Sequence, residues 1–152
     1  MKPTLWLRIA AIILVLFAAG HTVGFLSFRP HTAEGLAVWD AMQRVHFVEG
    51  GSTFSYGGFY LGFGLFITLF DLYLAWLAFY LGRHWSTMPR QAATLAWSQV
   101  VLHTAGAALA VRYFSIEPAT LSVVLIVCFA LAALSISKAV RAASAIGGTA
   151  AR

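Results

Sequence analysis

The chain has 152 residues, of which 61% are hydrophobic and 10% charged, and its formal net charge is +5. Soluble domains run near ~45–50% apolar and ~25% charged, and disorder needs low hydrophobicity with high net charge, so both classes are excluded. The basic residues are scattered and form no stripe of the kind a phosphate backbone needs, which leaves a membrane protein without a nucleic-acid partner.

The first apolar run covers residues 5–28 and is broken only by Arg8, His21, Thr22 and Ser27. Lys2 and Arg8 ahead of Ala18-Ala19-Gly20 imitate a signal peptide with its cleavage site. The apolar character continues to Phe28, however, which is long enough to span, so an uncleaved anchor is expected. Gly20-x-x-x-Gly24 inside it is a helix-contact motif.

A long connection, residues 29–56, follows. Thr32 is placed to cap a helix, with Glu34 in its first turn. At helical spacing Val38, Trp39, Met42 and Val45 share one side with His46 at its edge, while Asp40, Gln43 and Arg44 fall elsewhere. That pattern predicts an amphipathic helix lying on the outer surface, ended by Gly50-Gly51-Ser52, and makes the connection a candidate lid. A helical His46-x-x-Glu49 pair, joined by His21 or His31, has the outline of a metal site. Structural zinc needs four ligands, so a solvated loop and no metal are expected.

The second run, residues 57–82, reads GGFYLGFGLFITLFDLYLAWLAFYLG and carries one charge, Asp71. Stepping from Asp71 at helical spacing gives Gly57, Tyr60, Gly64, Thr68, Ala75, Ala78 and Gly82, all small or polar. Phe59, Phe63, Phe66, Phe70 and Trp76 mostly lie off that stripe. In lipid, small residues let helices approach and large apolar ones face the tails, so Asp71 is expected to point into a bundle. A mid-membrane carboxyl costs at least ~2.5 kcal/mol on insertion scales and is a functional candidate by default. It should be protonated or hydrogen-bonded. Gly58-x-x-x-Gly62 is a second helix-contact motif.

The third run, residues 92–111, repeats the pattern with Ala92, Ala96, Gln99, His103, Gly106, Ala107 and Ala110 on one stripe. His103 falls at a depth similar to Asp71, within reach of a hydrogen bond if the stripes face each other. His103-Thr104-Ala105-Gly106 echoes His21-Thr22-Val23-Gly24, a short internal repeat that two hairpins about an axis along the membrane normal would produce. The fourth run, residues 119–136, is the least polar, opens after Pro118, and holds the single cysteine, Cys128. A small buried hydrophobe is expected there. Residues 137–152 are expected as a short cytoplasmic tail, frayed over AIGGTAAR.

Cationic side chains bias loops toward the cytoplasm. With both termini inside, Lys2, Arg8, Arg83, Arg90, Lys138, Arg141 and Arg152 lie on the inner side. Arg29, Arg44 and Arg112 then lie outside with Glu34, Asp40, Glu49 and Glu117. The expected fold is a single all-α membrane domain: a four-transmembrane-helix bundle, multi-pass in a bacterial inner membrane, with an amphipathic surface helix on its outer side.

The segment GHTVGF ending the first span, the long connection, and YGGFYLGFGL opening the second resemble a family of small bacterial four-helix membrane proteins. The likeness covers roughly residues 10–85. It implies fold and bacterial origin and carries no activity.

Three functions follow as expectations. The leading one is binding of a hydrophobic small molecule or cofactor, such as a quinone, in the outer half of the bundle, by His21, Tyr60, Thr68, Asp71, Gln99 and His103. The second is an enzyme with Asp71 and His103 as catalytic residues relaying a proton on a lipid-soluble substrate. The third is an accessory subunit of a larger membrane complex, or a homo-oligomer. His21 and His103 themselves are expected each to bond a neighbouring carbonyl or threonine and so hold helices together, with a b-type haem held by the pair as the alternative, since neutral imidazole is a suitable axial ligand.

Overall fold

The computed structural model describes residues 2–149, with side chains as far as residue 145. In chain order the elements are α1 (Pro3–Ser27), α2 (Ala33–Arg44), β1 (His46–Glu49), β2 (Ser52–Ser55), α3 (Tyr56–His84), α4 (Pro89–Tyr113) and α5 (Ile116–Thr149). Four helices, α1, α3, α4 and the Ile116–Ala145 part of α5, are long and apolar enough to cross a membrane. A backbone in hydrocarbon must satisfy its own N–H and C=O groups, and a helix does so within one segment. The chain is therefore a multi-pass membrane protein of the all-α class.

The helix after Thr32 forms as its sequence dictates. Thr32 has extended backbone and its hydroxyl accepts from the Gly35 N–H at 3.0 Å. None of the residues of α2 is fully buried, and Trp39 and Met42 are half-buried while Val38 stays exposed. The helix stops at Arg44, before the expected Val45 and His46. Val45 turns to an extended conformation and opens a hairpin that the sequence pattern did not predict. Its register pairs His46 with Ser55, Phe47 with Phe54, Val48 with Thr53, and Glu49 with Ser52. Gly50 (φ 56°) and Gly51 (φ 78°) make the two-residue turn that needs positive φ at both positions. Three residues apart on a strand, His46 and Glu49 lie on opposite faces, and the His46 Nδ1–H donates to the Arg44 carbonyl at 2.8 Å. The His46-x-x-Glu49 pairing is thereby undone. Among the described residues no cluster of three or more His, Cys, Asp or Glu is placed to hold a metal ion.

α5 continues to Thr149 without a break at residue 136, where a tail was expected to begin. The apolar run ends there, but Ala139, Ala142 and Ala143 with Lys138 and Arg141 are good helix formers. Of the frayed AIGGTAAR segment, residues 150–152, including Arg152, lie outside the described residues.

The described residues form two compact units, one running up to Leu14 and from Leu74 onward, the other Val15–Tyr73. The first unit holds the main core. Leu7, Leu14, Leu81, Leu125, Phe129 and Ile136 are fully enclosed there, with Ala10, Ala78 and Ala132 between them. α4 packs along α5, with Ala92, Ala96 and Ala110 buried. The Trp85 indole N–H donates to Thr4 Oγ1 at 3.0 Å, and Cys128 is buried within the same core. The second unit is joined by small polar contacts and by aromatic rings lying on glycines. Thr22 and Thr68 share a hydroxyl hydrogen bond of 2.8 Å. The Phe25 ring fills the space where a Gly64 side chain would stand, and Gln43 does the same at Gly57.

Candidate functional site

Within the second unit, α1 and α3 place three of the expected ligand residues around one turn of backbone. The His21 Nε2–H donates to the Gly64 carbonyl at 3.1 Å, and its ring stacks on Phe25 at 5.7 Å. Thr68 donates to the same carbonyl at 3.3 Å. Tyr60 packs its ring 5.1 Å from Phe25 and edge-on to Trp39 at 6.2 Å. Glycine at 64 is what lets Phe25 come in close enough for this cluster. His21 and Thr68 thus spend their polar groups on joining helices. Asp71, in the same unit, is buried, and its Oδ2 has no hydrogen-bond partner.

Gln99 and His103 belong to the first unit and are buried on the expected stripe of α4. Gln99 Oε1 and His103 Nε2 have no hydrogen-bond partner, and the His103 ring stacks on Phe129 at 5.5 Å and 12°. The two His-Thr-x-Gly segments therefore use their histidines differently, one as a donor to a carbonyl and one as a stacked ring. Thr22 reaches across to Thr68, whereas Thr104 bonds back to Val100 O at 2.7 Å within its own helix.

Two cavities of the second unit carry more than the sequence stripe suggested. The first is an apolar groove of about 640 Å³ on α3, walled by Phe59, Phe63, Phe66 and Phe70, floored by Gly58 and Gly62, and closed at one end by Phe54 of the hairpin. No atom lies within 4 Å of where a Gly62 side chain would begin, so Gly58-x-x-x-Gly62 opens onto the groove. The second cavity, about 260 Å³, is lined by Phe25, Arg29, Trp39, Gln43, Ser55 and Tyr60, among others, and again by Gly58. Here the Arg29 guanidinium stands 4.9 Å over the Trp39 ring and donates to the Phe28 carbonyl at 3.0 Å. Tyr60 is the one expected ligand residue that lines either cavity. Arg29 and the glycine-phenylalanine face were missed as a site. The i, i+4 spacing of Gly58 with Gly62 and of Phe59 with Phe63 was their visible signal.

No protein-family model, curated protein or solved structure matches the chain.

Proposed function

We propose that the protein binds a hydrophobic small molecule of the bilayer in its second unit, without chemical conversion. The observation that supports this is the α3 groove. Its volume of about 640 Å³ falls within the ~300–1,000 Å³ of small-molecule sites, and its aromatic lining has the composition of such sites. A bacterial inner membrane, cytoplasmic termini and an outer-side position for the α2 surface helix belong to the same reading, on the strength of the cation distribution.

Gly62→Leu tests it. The position has room for a side chain, so the variant fills the groove without disturbing its neighbours. Mass spectrometry of lipid-soluble molecules retained through purification in mild detergent should show the bound species lost from the variant, with helicity by circular dichroism unchanged. Equal retention by the variant and the parent chain removes the groove as the binding site.

A further inference from the structure

The groove and the Arg29 cavity are separate spaces on different faces of α3 that adjoin at Gly58, so a cationic compartment borders an apolar one. We infer that the occupant is an anionic glycerophospholipid of the adjoining leaflet, with its phosphate beside Arg29 and one acyl chain along α3. This rests on the reading above and names its ligand class.

Charge complementarity comes first. Among the described residues Arg29 forms no ion pair, and its contacts are the Trp39 face and a backbone carbonyl. Its five guanidinium N–H donors suit a phosphate. Gln43, Ser55 and Tyr60 add neutral donors to the same lining, and no acidic residue is among the residues that form it. The second argument is length. Gly58 to Phe70 is a helical rise of about 18 Å, close to the roughly 15 Å of one leaflet in a hydrocarbon core ~30 Å thick. A chain in this groove is thus matched to a leaflet and not to the whole bilayer. Third, the compartments meet where α3 begins. A side chain at Gly58 would stand 3.1 Å from Ser55 Oγ, so glycine there leaves the border between the two compartments without a side chain across it.

The test is native mass spectrometry of the detergent-solubilised full chain offered equimolar phosphatidylglycerol and phosphatidylcholine with identical acyl chains. The parent chain should retain phosphatidylglycerol about fivefold more, the factor that roughly one basic residue adds at an anionic surface. Arg29→Gln should bring the ratio to about one while phosphatidylcholine retention holds, and Arg29→Lys should restore part of the preference. Gly62→Leu should lower retention of both lipids. An equal ratio in the parent chain, or an unchanged preference in Arg29→Gln, overturns the anionic lipid. The groove reading survives those outcomes if Gly62→Leu still lowers both. Full retention of both lipids by Gly62→Leu overturns the groove and the lipid together.

Discussion

Glycines of α1 and α3 that look alike in the sequence serve different ends. Gly64 is a contact residue, because the Phe25 ring occupies the place of its missing side chain. Gly20 and Gly24, although spaced as a helix-contact motif, have no atom within 4 Å of the corresponding position. Gly64→Leu therefore overpacks the joint of His21, Phe25 and Thr68 and should cost about 1–3 kcal/mol. Thermal unfolding in detergent would measure this, and a melting temperature equal to that of the parent chain would show that Phe25 yields freely. Much at this scale was legible. The stripe of small and polar residues named the buried positions Gly57, Gly64, Ala75, Ala78, Gln99 and His103. That His21 bonds a carbonyl and joins helices was readable too, but not which carbonyl, because a backbone acceptor on another helix has no residue identity to be recognised by. The pairing of Arg29 with Trp39 was hidden likewise, ten positions apart across a break in helical spacing.

The segment between α1 and α3 shows where periodicity loses its grip. Over 12 residues α2 has enough turns to declare an amphipathic pattern and a cap, and both were readable. Each strand of the hairpin has only 4 residues, too few for alternation to stand out from a loop. Its polar ends, His46, Glu49, Ser52 and Ser55, further mask it. The turn is nevertheless decisive, since both glycines adopt positive φ. Gly51→Ala places a side chain in left-handed backbone at a cost of about 1–2 kcal/mol. The expected result is faster limited proteolysis within residues 46–55 with unaltered helical content. Because Phe54 closes one end of the α3 groove, retained lipid should fall as well. Cleavage no faster than in the parent chain would mean the hairpin does not depend on this turn.

Taken whole, the molecule is unevenly filled. Among the described residues, Ala18 is the one buried apolar residue in the second unit, and the others, from Leu7 to Ile136, are in the first. Segments with few buried apolar contacts open more readily. Amide hydrogen exchange in detergent should therefore be faster over residues 15–27 and 56–73 than over 3–14 and 74–84, although each pair of segments belongs to the same two helices. Added phosphatidylglycerol should slow the faster set. Uniform protection along α1 and α3 would contradict this account. The spans themselves were plain in the sequence because hydrocarbon demands about 20 consecutive apolar residues of any helix that crosses it. A cavity leaves no such trace, since it is defined by where neighbouring side chains stop.

The surroundings of Trp39 give the protein a further property. Its indole has a cation 4.9 Å over its face and the edges of Phe28 and Tyr60 at 6.1 and 6.2 Å. An indole so close to a charge has an emission colour set by where that charge sits. Drawing Arg29 toward a phosphate would change the fluorescence of Trp39, and a chain with Trp6, Trp76, Trp85 and Trp97 replaced by phenylalanine would report that change without any added dye.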